Sequence, residues 1–200
     1  MVGKIGAQER GDVLKLADKL NWPVFADVTS SLRLGKKEKN VIHHFDQILL
    51  SDRLRSRIKP DGILHLGGRI TSKRYYEFIE QTKPRRYMMV LNHPLRNDPT
   101  HQVSMRIQSP VGSFCQSVGR TLTKRTPNKL LNDLNKANRS TERVVQRMFK
   151  KQERITEFGA SQIISEEIPS SHVLFCVSSL PIREIDMYGL SDYEAVPIWS

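Results

Sequence analysis

The sequence predicts an α/β fold, a parallel sheet with helices on both faces, followed by a basic helical connector. Short β-branched or aromatic runs alternate with stretches of helical periodicity through the first two-thirds of the chain. The helical stretches have the length of crossovers between neighbouring parallel strands. After Arg106 the texture turns to Ser, Pro and Gly, and then to a long cation-rich region with helical spacing.

The first helix is read over Glu9 to Leu20, where Val13, Leu16, Ala17 and Leu20 share one face. Pro23-Val24-Phe25-Ala26-Asp27-Val28 reads as a buried strand. A Lys-rich turn at Gly35 to Asn40 leads to a helical stretch around Asp52 to Ile58, and Asp61 to Gly68 is a strand running into a Gly-rich turn. Ser72 can cap a helix from Lys73 to Gln81, and Arg86 to Leu91 is the strand that follows. Beyond the basic region come a helix from Phe158 to Glu167, a buried strand at His172 to Val177, a helix near Ile182 to Met187 and a terminal strand at Val196 to Ser200.

Two hundred residues of ordinary apolar and charged content suit one domain, or one domain and part of a second. No apolar run approaches about 18 residues and the N-terminus lacks a secretion pattern, so a soluble, non-secreted chain without a membrane span is expected. Cys115 and Cys176 are too few and too far apart for a disulfide framework and read as buried thiols in a reducing compartment. The net charge of +11 is the unusual bulk property. From Arg120 to Arg154 eleven Lys or Arg face only Asp133, Glu142 and Glu153, so most of the excess lies in one stretch. Leu130, Leu134, Ala137, Val145 and Met148 line one side of it, which reads as an amphipathic surface helix with a solvated basic face. A nucleic-acid-binding module is the alternative reading of that charge; no helix-turn-helix, zinc-finger or aromatic–basic motif supports it, and no nucleic-acid partner is expected.

Parallel α/β sheets bind ligands at the carboxyl ends of their strands. Three turns qualify. Gly67-Gly68-Arg69-Ile70-Thr71-Ser72-Lys73-Arg74 combines two glycines, a capping serine and three cations; the glycines would let a ligand approach the backbone, and Arg can hold a carboxylate bidentately. Its plainer reading is a capped surface helix. Val177 to Asp186 puts Ser179 and Arg183 at a helix N-terminus beside Pro181, an anion site or a simple strand-to-helix junction. His93 to His101 holds two His and Asp98 between prolines, a turn rather than a metal site, and the adjacent His43 and His44 would diverge on a helix. With no nucleophile elbow, Walker loop or Cys–His signature, the residues by themselves support an anion-binding α/β domain and name no reaction.

The same turns resemble the family of 2-succinyl-5-enolpyruvyl-6-hydroxy-3-cyclohexene-1-carboxylate synthases, often called MenD, and its phylloquinone-pathway counterparts in plants. The resemblance is carried by Asn21-Trp22-Pro23-Val24 with Ala26-Asp27-Val28, by Arg69 to Arg74, by Asp98-Pro99 with His101, and by Ser179-Leu180-Pro181-Ile182-Arg183-Glu184-Ile185-Asp186-Met187-Tyr188-Gly189. It implies a Rossmann-like central domain at residues 1–120, the basic helical connector at 121–156, and the start of a second α/β domain, which binds diphosphate, at 157–200. The implied chemistry is decarboxylation of 2-oxoglutarate on thiamine diphosphate and transfer of the succinyl unit to isochorismate, in menaquinone or phylloquinone biosynthesis. Lys73 and Arg74 match a basic pair of the central domain, and Ser179 and Arg183 match residues that contact substrate carboxylates; no catalytic residue is assigned to this segment.

The resemblance further implies that thiamine diphosphate and Mg2+ are held mainly by parts outside these residues, so that the segment alone does not turn over. It implies a homo-oligomer for the full-length enzyme, cytoplasmic in a bacterium and located in the plastid or another organelle in a plant or alga. Ser178 and Val177 depart from the asparagine and glycine usual in the family. Apart from catalysis, a domain binding an acidic metabolite or effector is the alternative reading.

Overall fold

The computed structural model describes residues 1–126, 128–169, 172–177, 179–189 and 198–199. Strands β1 (Gly62–Leu66), β2 (Arg86–Leu91) and β3 (Met105–Gln108) form a parallel sheet in that order. Single parallel bridges widen it beyond β1: Val2 pairs with both Leu66 and Ala26, and Val24 pairs with Val41. Backbone hydrogen bonds follow the same path, from Gly3 N to Leu66 O, Asp27 N to Val2 O and Ile42 N to Val24 O. Winding therefore runs outward from residue 2 through 24–26 to 41, then restarts at β1 on the opposite side. This is the order of a doubly wound sheet, with its switch point between residue 2 and β1.

Helices α1 (Arg10–Leu20), α2 (Phe45–Leu50), α3 (Asp52–Arg55), α4 (Lys73–Thr82), α5 (Val111–Thr121) and α6 (Lys129–Lys150) cover the sheet. Successive strand side chains point to opposite faces, so the sheet carries two cores. On one face Val2, Ala26, Leu66 and Val90 meet Val13, Leu16 and Leu20 of α1 and Val111 and Cys115 of α5. On the other, Phe25, Ile42 and Tyr87 meet Phe45, Ile48, Tyr75, Phe78 and Ile79, with Leu134 of α6 packed into the same cluster. Both faces carry helices, the predicted α/β arrangement.

Beyond the sheet, α7 (Glu157–Glu167) packs on α8 (Leu180–Tyr188), and β4 (Leu174–Phe175) pairs in parallel with β5 (Ile198–Trp199). Among the described residues no helix is long and apolar enough to cross a membrane.

Several elements differ from expectation for identifiable reasons. The strand read at Pro23 to Val28 is reduced to bridges, because the Asp27 side chain accepts from Thr29 N and turns the chain into a short 3-10 segment, Val28–Ser30. The buried strand expected at His172 to Val177 is a two-residue strand covered on one side only: Leu174 and Cys176 pack with Val28, Leu34 and Ile182, while the alternating Val173, Phe175 and Val177 are exposed. Met148 is exposed rather than buried although it shares the helical side of Leu130: it lies about five turns further along α6, and it is the N-terminal half of the helix, through Leu130, Leu134 and Ala137, that packs on the core. α2, β3 and α5 have no sequence counterpart. Ser178, and Val196, Pro197 and Ser200 of the expected terminal strand, lie outside the described residues.

Two glycines give opposite expectations for one substitution. Gly67 has φ +82°, and a Cβ there would meet Lys4 O at 2.3 Å; Gly11, in α1, has open space around it. Gly67→Ala should cost at least about 2 kcal/mol, whereas Gly11→Ala should add about 0.5–1 kcal/mol by raising helix propensity. Urea denaturation of both variants checks the signs.

Candidate functional site

The carboxyl ends of the sheet are covered by α8, which buries Ile182 and Ile185 against Val28 and Leu34 and is oriented there by a set of polar groups. Arg33, with no exposed surface, donates Nε to Asp186 O at 2.9 Å, Nη1 to Gly189 O at 3.1 Å and Nη2 to Met187 O at 3.2 Å. Asp186 answers from the helix: its Oδ1 accepts from Val28 N at 2.7 Å. Gln47 Nε2, from α2, also donates to Met187 O. Burial pushes the Arg33 pKa down, while the charges of Asp186 and Asp27 oppose that shift; burial raises the pKa of both carboxyl groups.

With its C-terminal end held in this way, α8 lies against the start of α4, and between them opens a cleft of about 390 Å³ lined by Asp46, Ser72, Lys73, Arg74, Glu77 and Arg183. Three of the four residues singled out in the sequence thus meet in one cavity. Ser179 does not line it. Its hydroxyl makes no capping bond to α8, and its backbone takes φ 117° and ψ −138°, a region open chiefly to glycine.

The cations differ in their surroundings. Lys73 is 79% exposed and pairs with Glu77 one helical turn on, Nζ to Oε1 3.4 Å. Arg74 Nη1 donates to Asp46 Oδ1 at 2.5 Å. Arg183 is exposed and has no ion-pair or hydrogen-bond partner among the described residues. Ser72 caps α4 as expected, accepting from Tyr75 N at 3.1 Å, and also donates to Asp46. Beneath them Thr71 N donates to Asp27 Oδ2 at 2.5 Å, which fixes the approach to α4.

Gly67 and Gly68 serve a different purpose from the one expected. Lys4 and Ile5 occupy the space beside them, and Gly68 N donates to Lys4 O at 2.9 Å. The glycines admit a neighbouring segment of the chain, not a ligand. In the third turn Asp98 is occupied with its own loop, accepting from Gln102 N and Val103 N at 3.2 and 3.1 Å. Asp46 and Arg33 were missed because each is an isolated charge in an otherwise unremarkable stretch, recognisable only from partners distant in sequence. Among the described residues no three His, Cys, Asp or Glu side chains are grouped to hold a metal ion.

A family described as “Middle domain of thiamine pyrophosphate” matches residues 1–176. Among curated proteins, “Protein PHYLLO, chloroplastic” of Arabidopsis thaliana is 35% identical over 186 residues, 89% of this chain and 11% of that protein. The 2-succinyl-5-enolpyruvyl-6-hydroxy-3-cyclohexene-1-carboxylate synthase of Shewanella frigidimarina is 34% identical over 94% of this chain and 32% of its own length. The protein of the same name from Rubrobacter xylanophilus is 26% identical over 99% of this chain and 35% of its length. The chain thus spans about a third or less of these relatives.

The turn leading to the cleft rests on a buried relay. His65 Nε2 contacts Gly68 O at 2.8 Å, so that nitrogen carries the proton; Nδ1 then accepts from Tyr87 Oη at 2.8 Å, and Tyr87 Oη accepts from Tyr75 Oη at 3.1 Å. Burial pushes His65 down to about 4 from an ordinary value near 6.5. Protonation is therefore disfavoured in the folded state: this stability is fully present above pH 6.5 and is lost as pH falls toward 4, by about 3 kcal/mol in total. Asp27 and Asp186, raised by burial, act with the opposite sign, so the comparison must be with a variant. The slope of unfolding free energy between pH 6.5 and 4 should be smaller in His65→Gln than in the wild type by up to one proton; equal slopes would refute the assignment.

Proposed function

The chain belongs to the family of the middle domain of thiamine pyrophosphate enzymes, and from that premise we propose that it is the central part of a 2-succinyl-5-enolpyruvyl-6-hydroxy-3-cyclohexene-1-carboxylate synthase. In this reading the complete protein decarboxylates 2-oxoglutarate and adds the succinyl unit to isochorismate, on the way to menaquinone or phylloquinone. Residues 1–120 are the central domain, 121–156 the connector and 157–200 the start of the diphosphate-binding domain. The complete enzyme is a homo-oligomer, in the cytoplasm for a bacterial source and in the plastid or another organelle for a plant or algal one. Relatives bearing the synthase name and covering nearly all of this chain support the reading.

The observation that carries it is the convergence of Arg74 and Arg183 on one cleft at the carboxyl ends of the sheet. Both proposed substrates carry several carboxylates, and guanidinium groups bind carboxylates through paired, charge-assisted hydrogen bonds. Arg183, free of any described partner, takes one carboxylate, and Arg74 takes a second. Lys73 adds positive potential at the mouth, and Ser179, just outside the lining, contributes its hydroxyl to the bound acid. Thiamine diphosphate, when bound, supplies the electron sink for decarboxylation. In the same proposal the cofactor and its Mg2+ are held mainly by parts of the protein other than these 200 residues.

In the complete enzyme, Arg74→Ala or Arg183→Ala should raise the KM for a carboxylate substrate or lower turnover, each at a cost of about 1.5–3 kcal/mol in kcat/KM. Steady-state kinetics with each substrate varied in turn tests this, and wild-type constants in both variants would remove the site assignment.

A further inference from the structure

Arg74 is gripped at one corner of its guanidinium. Nη1 donates to Asp46 Oδ1 at 2.5 Å and lies 3.5 Å from Met187 Sδ, while Nε and Nη2 have no hydrogen-bond partner among the described residues. The Arg74 side chain is 37% exposed and that of Asp46 only 5%. Asp46 is itself immobilised, since its second oxygen accepts from the Ser72 hydroxyl that caps α4. Three elements meet here: α2 brings Asp46, α4 brings Ser72 and Arg74, and α8 brings Met187.

A guanidinium offers a carboxylate either its Nη1–Nη2 end or its Nε–Nη2 side. With Nη1 taken by Asp46, the side edge is the one left for a ligand. We infer that Asp46 is a positioning residue for this cleft, holding Arg74 so that its Nε–Nη2 edge is ready for bidentate contact with a ligand carboxylate. The inference rests on the reading of the cleft as a carboxylate site. The neighbouring pair, Lys73 and Glu77, is an exposed pair on one helix and orders nothing. The Asp46 pair is buried on its acidic side, and its rigidity removes part of the ordering cost that a free arginine would bear on binding.

Charge and position predict opposite signs, which makes the inference testable. If Asp46 were merely a counter-charge, removing it would raise the positive potential of the cleft and tighten anion binding. As a positioning residue, its removal weakens binding. In the full-length protein with thiamine diphosphate and Mg2+, varying 2-oxoglutarate and isochorismate in turn, Asp46→Ala is expected to raise the KM for one of them about tenfold or more. The same variant should change kcat by less than about threefold, since the lost contact is made to bound substrate and transition state alike. Asp46→Asn retains an oxygen for Nη1 and should recover most of the KM. Arg74→Lys, whose ammonium cannot serve Asp46 and a ligand edge together, should behave like Arg74→Ala; it gives a reading even where Asp46→Ala fails to fold.

A KM at or below the wild-type value in Asp46→Ala, a fall in kcat with KM unmoved, or wild-type binding by Arg74→Lys would each overturn the inference. Arg183→Ala and Arg74→Ala separate the two levels. If KM and kcat are both unmoved in both variants, the carboxylate reading itself fails. If either constant changes in both but KM does not rise in Asp46→Ala, only the role of Asp46 fails.

Discussion

The guanidinium of Arg33 has no contact with solvent, and its hydrogen bonds run to the carbonyls of Asp186, Met187 and Gly189. An unpaired cation in this position would be destabilising by several kcal/mol. Here it is offset twice, by carbonyls at the end of α8, where the helix dipole favours positive charge, and by the nearby carboxylates of Asp186 and Asp27. The arrangement is directional in a way that apolar packing is not. It sets where α8 ends, which face it turns to the sheet, and therefore which of its side chains look into the cleft.

From that one docking interaction the remaining features of the site follow. Because α8 is held at its C-terminal end, the strain at its start is tolerated: Ser179 adopts a backbone conformation costing about 1–3 kcal/mol for a residue with a side chain, which persists only where surrounding contacts over-determine it. Carboxylates lie behind the cations in alternation. Asp27 receives the backbone of Thr71, Asp46 receives Ser72 and Arg74, and Asp186 receives Val28. The cleft is thus a balanced site in which Arg183 alone of the three cations stands without a described partner, rather than a general patch of positive potential.

The high net charge of the chain turns out to have two unrelated parts. Most of it lies on and around α6, whose Leu131, Leu134 and Val145 are buried while its cations face outward. The smaller part, at the start of α4 and on α8, lines the cleft between those helices. Bulk composition cannot separate these, because it counts charges without regard to the carboxylates that neutralise them. Exposed apolar side chains gather in the later part of the chain, at Ile155, Val173, Phe175 and Val177. The first part has two well-filled cores.

By itself the sequence determined the elements whose signals are local. α1 follows from its apolar face, α4 from the cap at Ser72, and β1 and β2 from apolar runs bounded by turns; the cations of the turns before α4 and α8 are also explicit. Elements with weak local signals were invisible: β3 is a four-residue strand with mostly exposed side chains, and α5 is rich in Ser and Gly. Only the tertiary structure decided that Lys4 and Ile5 occupy the space beside Gly67 and Gly68, that Asp46 grips Arg74, and that Arg74 and Arg183 share a cleft while Ser179 stays outside it. The physical reason is the same in each case. Helical and strand periodicities are set by neighbours a few residues away, whereas these contacts depend on where a parallel sheet carries its strand ends and on a buried cation, Arg33, that ties a distant helix to them.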